Sequence, residues 1–167
     1  RSVDVAHGGK EKRKKIINSG AEFVIINYDG VEIVKDEIAA GGFDCFIVDE
    51  ATHYKNAQTK RWKTLSKLIK EGDWLWMMTG TPAAQSPMDA YGLAKLVNPL
   101  SVPRFFGAWR DMVMHKITQF TYKPKETAKD TVHHVLQPAI RFTKEECLDL
   151  PDMVYTKRFV EMTAQQK

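Results

Sequence analysis

Two adjacent carboxylates, Asp49 and Glu50, close the short apolar run Cys45-Phe46-Ile47-Val48 and lead into Ala51-Thr52-His53-Tyr54-Lys55-Asn56. Acids at the carboxyl end of such a run stand where open α/β sheets bind their ligands. Side by side they suit a Mg²⁺-nucleotide, one holding the metal's water shell and the other orienting an attacking water. They could equally be the solvated end of a core strand, and the pair alone does not choose. A second cluster, Thr79-Gly80-Thr81-Pro82, sets two hydroxyls on a tight turn after another apolar run, although Thr, Gly and Pro are also ordinary turn residues. A third is the basic block Lys10, Lys12, Arg13, Lys14 and Lys15, read either as a solvated helix face or as a surface for phosphates. Gly9-Lys10 does not complete a phosphate-binding loop. GxxxxGK[ST] would need Gly at position 4 and Ser or Thr at position 11, where the chain has Asp4 and Glu11, and no other segment fits.

The elements that must position these residues alternate. Ser2–Val5 reads as a short strand, followed by a basic helix ending in Ile16-Ile17. Phe23–Ile26 is a strand ending in the turn cluster Asn27-Tyr28-Asp29-Gly30. Val31, Val34 and Ile38 share one face of a helix that Gly41-Gly42 should stop. The run ending at Val48 reads as a strand of a parallel sheet covered on both faces. Gln58–Lys70 reads as an amphipathic helix and Trp74–Met78 as a further strand, with Trp62, Trp74, Trp76 and Trp109 expected in the core. Ser86 suits an N-cap and Pro87 the first helical position of the next helix, whose buried stripe is Ala90, Leu93, Ala94 and Val97. Helices are expected from Arg104 to about Val113 and over Glu126–Val135, then extended segments over Leu136–Phe142 and Met153–Val160. This βαβ spacing makes the chain an α/β protein, with a boundary near Leu136 where the alternation stops.

Composition narrows the class. The chain has 167 residues, 43% hydrophobic and 28% charged, with a formal net charge of +4. That describes a globular chain compatible with nucleic-acid binding. The two cysteines, Cys45 and Cys147, imply neither a disulfide framework nor a zinc site, so a reducing intracellular compartment is the default. No apolar run approaches the roughly 18 residues of a membrane span. The chain begins at Arg1 and reads as a piece of a longer protein.

Taken together, the motifs resemble the Swi/Snf-like ATPases, superfamily-two helicase-like DNA translocases. Asp49-Glu50-Ala51-Thr52 with Lys55-Asn56 is similar to their Walker B segment, DEAHxxKN, and Thr79-Gly80-Thr81-Pro82 to their motif III. His7-Gly8 resembles the "HG" before a basic helix, and Asn27-Tyr28-Asp29 the "TTYE" segment. Leu93–Pro99 resembles "LLxFLxP", and Phe105-Phe106 with Trp109 an aromatic helix. Leu136-Gln137-Pro138, Arg141, Lys144 and Leu150-Pro151 resemble the segment that closes the first motor lobe, and Met162-Thr163 with Gln165 the "MTxxQ" beyond it.

The resemblance implies a RecA-like lobe (P-loop NTPase type), a parallel sheet flanked by helices, over 1–135, and a lobe-closing segment over 136–167. ATP and Mg²⁺ are the implied cofactors, and the implied partners are double-stranded DNA and a second RecA-like lobe of the same protein. Asp49 would hold Mg²⁺ through water and Glu50 would orient or deprotonate the attacking water. Thr79, Gly80 and Thr81 would couple the nucleotide to the DNA track. Lys10, Lys12, Arg13, Lys14 and Lys15, with groups near Asn27 and Tyr28, would meet DNA phosphates. Lys55 is a further phosphate candidate or a partner for nearby carboxylates. Thr52 stands where the family usually has His; its hydroxyl can hydrogen-bond but does not titrate near neutral pH, and the family role is not moved onto His53. The implied phosphate loop and arginine finger lie outside this sequence, so the segment alone is expected to be inactive. The rival reading is a non-catalytic nucleic-acid-binding or interaction module on the same fold.

Overall fold

The computed structural model describes residues 1–147 and 155–159. Strand β1 (Val3–Ala6) leads through helix α1 (Lys10–Ile17) to β2 (Phe23–Ile26), and the two strands pair in parallel with Val3 opposite Phe23. Helices α2 (Tyr28–Ile33) and α3 (Lys35–Ala40) precede β3 (Cys45–Val48). A 3-10 turn over Ala51–Tyr54 and helix α4 (Lys60–Leu68) then return the chain to β4 (Trp74–Met77), parallel to β3 with Cys45 opposite Trp74. Each crossover places its helix on the sheet, as a parallel pair requires. A 3-10 turn over Pro87–Asp89, α5 (Ala90–Val97) and α6 (Phe106–Val113) follow. Then come the antiparallel hairpin of β5 (Met114–Lys116) and β6 (Tyr122–Pro124) and helix α7 (Ala128–Val135).

Local chemistry explains several boundaries. Thr59 caps α4 by accepting the Trp62 N–H, and Ser86 accepts the Met88 N–H with Pro87 at the first position. The single helix expected over Val31–Ile38 is broken at Val34, whose φ of −124° leaves helical geometry, yet Val34 and Ile38 are buried together as the spacing implies.

The α/β class holds, but the continuous parallel sheet expected here takes the form of two separate parallel pairs and an antiparallel hairpin. Burial also departs from expectation. Trp109 is fully enclosed and Trp62 half-buried, whereas Trp74 and Trp76 are 67% and 58% exposed. With Val3, Val5, Phe23, Ile25 and Ile47 they form the uncovered faces of the two pairs. The reason is topological: the crossover helices pack on one side of each pair. Ala6, Ile17, Val34, Ile38 and Leu68 form a core beneath β1 and β2. Val48, Ala51, Tyr54, Leu65 and Leu93 form another beneath β3 and β4, and Trp109, Val113, Tyr91 and Val135 anchor a third among α5, α6 and α7.

The chain divides between Gln137 and Pro138. In the second unit, residues 138–143 have no regular structure and lead to the short helix α8 (Lys144–Cys147). The Thr143 hydroxyl accepts the Glu146 N–H at 3.3 Å and the Glu146 carboxylate accepts the Thr143 N–H at 2.7 Å, a reciprocal capping box. The motif positions Leu150-Pro151, Met162-Thr163 and Gln165 lie outside the described residues. Among those described, no helix is long and apolar enough to cross a membrane.

Candidate functional site

Strands β3 and β4 bring the acidic pair and the Thr-Gly-Thr turn to one edge. Their parallel ladder extends past the regular strands: Met78 N–H donates to the Val48 carbonyl, and Ala51 N–H donates back to the Met78 carbonyl, both at 2.8 Å. These bonds bracket Asp49-Glu50 on one chain and sit one residue before Thr79 on the other. Both carboxylates face solvent. One Asp49 oxygen accepts the Glu50 N–H at 3.0 Å, which fixes the rotamer. Glu50 has φ 47° and ψ 54°, the only non-glycine residue with positive φ among those described. A non-glycine residue in this region is strained, and such strain gathers where surrounding contacts hold it. The Thr79 hydroxyl accepts the Thr81 N–H at 3.3 Å, so Gly80 and Thr81 project outward from a closed turn. Thr52, half-buried in the 3-10 turn, contributes its carbonyl to the Lys55 N–H at 3.2 Å.

Tyr28 supplies the contact that holds the strained residue. Its hydroxyl donates to the Asp49 carbonyl and lies 3.5 Å from the Glu50 carbonyl. Burial, with the Asp49 and Glu50 charges beside it, keeps the phenol above its ordinary pKa, so it remains a donor. The ring packs 4.8 Å from His53 and 5.7 Å from Tyr54, and the Arg61 guanidinium lies 5.2 Å from its centroid. Arg61 also pairs with Asp29 at 2.8 Å and reaches His53 Nδ1 at 3.4 Å. Tyr28, Asp29, Glu32, His53, Lys60 and Arg61 line a groove of about 530 Å³. At the Glu32 carboxylate, the Thr64 hydroxyl, then the ammoniums of Lys60 and Lys35, lower the pKa to about 2. Backbone groups near Tyr28 are DNA-contact candidates from the sequence; the Tyr28 side chain ties α2 to the acidic loop.

The basic block separates into two kinds of residue. Lys10, Lys12 and Lys15 are exposed on α1. Lys14 is half-buried and bonded to Glu37 at 2.8 Å, which raises its pKa. Arg13 leaves the solvated set altogether. It is 8% exposed and donates to the Gly8 carbonyl at 2.8 Å, the Ala6 carbonyl at 2.7 Å and Asn27 Oδ1 at 2.8 Å. The physical reason is register: Arg13 is one turn before Ile17, on the inward stripe of α1, and the first turn after β1 offers it carbonyls. Asn27 is correspondingly occupied, its side chain by Arg13 and its carbonyl by the Gly30 and Val31 N–H groups. Lys55 pairs with Asp89 at 3.4 Å and reaches Gln85 at 3.2 Å, the carboxylate alternative of the two open to it.

No cluster of three or more His, Cys, Asp or Glu capable of holding a metal occurs among the described residues. The exposed carboxylates Asp49 and Glu50 are the donor type that suits Mg²⁺, which takes one or two carboxylates and completes its shell with water and substrate phosphates rather than a protein cage. The residues that sequence reasoning missed are Tyr28 as the support of the acidic loop and Arg61 as its neighbour. Their signal was the aromatic turn after β2 and a cation near the start of α4, neither specific by itself.

A model of the SNF2-related domain matches residues 2–167. The SWI/SNF-related matrix-associated actin-dependent regulator of chromatin subfamily A-like protein 1 of Xenopus laevis is 32% identical over 105 residues, covering 62% of this chain and 10% of that protein. The protein of the same name from Xenopus tropicalis is 31% identical over 105 residues, with the same coverage. The chain thus spans about a tenth of the length of the curated relatives it matches.

Proposed function

Because the chain belongs to the SNF2-related domain family, we propose that it is part of the first RecA-like lobe of an ATP-dependent motor that moves on or remodels double-stranded DNA. The observation that carries this reading is the ladder extension at 2.8 Å that sets Asp49-Glu50 beside Thr79-Gly80-Thr81. A carboxylate pair and a hydroxyl turn on neighbouring strand ends are what a nucleotide site needs on its metal and water side.

In this reading Asp49 would hold Mg²⁺ through water. Glu50 orients the attacking water or takes its proton. ATP with Mg²⁺ supplies the phosphoryl group and the charge neutralisation that make hydrolysis an energy source. Tyr28 keeps the Asp49-Glu50 backbone in its strained form, so the Glu50 carboxylate is positioned before substrate arrives. Preorganisation of this kind lowers the reorganisation needed during the reaction. Thr79, Gly80 and Thr81 pass the state of the nucleotide to the DNA side, with Thr52 in the adjoining turn. Lys10, Lys12 and Lys15 meet DNA phosphates, contacts that position without reading sequence. A second RecA-like lobe of the same protein completes the nucleotide site. The protein works where DNA is, inside the cell. Residues 1–167 alone turn over no ATP, since nothing in this sequence fits GxxxxGK[ST].

The test is DNA-stimulated ATP turnover by the full-length protein, wild type against Glu50→Gln. A loss of at least about a hundredfold, the scale of a general base, is expected. Unchanged turnover refutes the assignment, and no turnover by the wild type favours the non-catalytic module.

A further inference from the structure

The β5–β6 hairpin has no part in the chemistry above, yet it is a built feature. From Met112 to Lys125 the chain has no Asp or Glu but carries Lys116, Lys123, Lys125 and His115. Register sets His115 opposite Lys123, so His115, Ile117, Lys123 and Lys125 share one face, which with Glu126 lines a depression of about 520 Å³. Lys116 lies on the other face. Lys125 is held by the Asp111 carbonyl at 2.6 Å, while Lys116 and Lys123 are exposed and have no ion-pair partner among the described residues. At the tip, Phe120 is 87% exposed.

The turn is closed by hydrogen bonds at its tip and its base. Ile117 N–H donates to the Thr121 carbonyl at 2.9 Å, and the Thr118 hydroxyl accepts the Phe120 and Thr121 N–H groups at 3.3 and 3.0 Å. At the base, Lys125 N–H donates to the Val113 carbonyl at 2.9 Å and the Arg110 guanidinium lies 4.5 Å from the Tyr122 centroid. Val113 and Trp109 beneath are fully buried. The closed turn fixes the backbone that carries Phe120, so little backbone freedom is left to lose on binding.

We propose that this hairpin is a contact for single-stranded DNA, Phe120 stacking on an unpaired base while Lys116 and Lys123 take phosphates on either side of it. The pairing of an exposed aromatic with cations of one sign is the chemistry of single-strand binding. Lysines are depleted in the cores of protein interfaces, which disfavours a protein partner for the same patch. The unpaired state follows from geometry, because inside a duplex both faces of each base are already stacked and only the two end pairs offer an open face. The proposal rests on the motor reading only in that DNA is the polymer at hand.

The experiment is fluorescence anisotropy on the full-length protein without nucleotide, titrating an oligothymidylate of about 16 nucleotides and a blunt duplex of equal length. Phe120→Ala weakens binding to the single strand about tenfold, within the range for one stacked base, and leaves the duplex within about twofold. Phe120→Trp restores single-strand binding, which separates stacking from loss of fold. The double variant Lys116→Ala, Lys123→Ala lowers the single-strand salt slope by about 1.4, two phosphates at about 0.7 each. The proposal is overturned if Phe120→Ala leaves single-strand binding unchanged, if it weakens both DNAs equally, or if the wild type does not bind the oligothymidylate. None of these depends on turnover, so a failed motor reading and a failed hairpin reading give different results.

Discussion

Replacing Arg13 separates a structural cation from a DNA-binding one within a single helix turn. The guanidinium makes three hydrogen bonds, to the Ala6 and Gly8 carbonyls and to Asn27 Oδ1. It thereby ties the end of β1 to the end of β2. Gly30 leaves it room: a Cβ there would lie 2.6 Å from Asn27 Oδ1 and closer still to the guanidinium. Arg13→Met keeps the aliphatic stem and removes the charge. Hydrogen bonds to a charged group contribute about 1.5–3 kcal/mol each. Against this stands the desolvation that the native guanidinium suffers, on the order of several kcal/mol; Met loses about the same rotamer freedom as Arg, so side-chain entropy nearly cancels. The balance is a loss of about 3 kcal/mol, or about 10 °C in Tm at roughly 3–4 °C per kcal/mol. Urea unfolding measures the first quantity. The salt dependence of DNA affinity measures the alternative, since each phosphate contact adds about 0.9 to the slope. Arg13→Met should be destabilised with its slope unchanged. Lys12→Met, its exposed neighbour, should stay within about 0.5 kcal/mol of wild type with a slope lower by about 0.9. A stable Arg13→Met protein with a reduced salt slope would show that the guanidinium faces DNA and that its enclosure is wrong.

Two further outcomes are expected. In Gly92→Ala the new methyl would sit 2.5 Å from the Tyr54 carbonyl oxygen and closer still to the Lys55 carbonyl. Helix α5 must therefore back away from the loop after Asp49-Glu50, costing about 1–3 kcal/mol, read by denaturant unfolding; an unchanged midpoint would contradict the close packing. The Glu32 carboxylate, lowered to about 2 by the Thr64 hydroxyl and then Lys60 and Lys35, stabilises the fold above its ordinary value near 4.5. That contribution is lost as pH falls from about 4.5 toward 2, because the folded state binds its proton later than the unfolded chain. Stability curves should show a shallower acid limb in Glu32→Gln than in wild type over that window, and parallel limbs would remove Glu32 as the cause.

What the sequence made legible follows from periodicity. The runs Phe23–Ile26, Cys45–Val48 and Trp74–Met77 are strands because apolar β-branched and aromatic residues cluster between turn signals, and Ser86-Pro87 marks the entry to the next helix. Which face of those strands is covered was not legible, since Trp74 and Trp76 are apolar whether enclosed or exposed. The hairpin escaped because each of its strands has three residues, one of them Pro124, and its turn, Thr118-Gln119-Phe120, lacks the Gly or Asn that usually announces one. The break at Val34 has no Gly or Pro to mark it.

The candidate site divides in the same way. Asp49, Glu50 and the Thr-Gly-Thr turn are visible as residue types at strand ends, because a motif records which groups do chemistry. The means of holding them is dispersed. Glu50 occupies a left-handed conformation that no local residue prefers, and the hydroxyl supporting it comes from Tyr28, the first residue of α2. Tyr28 is in turn packed by His53 and Arg61, from the 3-10 turn and α4. Each of these is an ordinary residue at its own position, and only their convergence on one backbone carbonyl gives them a role. A contact between positions 28 and 49 leaves no periodic trace in the chain, so the acids could be named from sequence while the device that aims them could not.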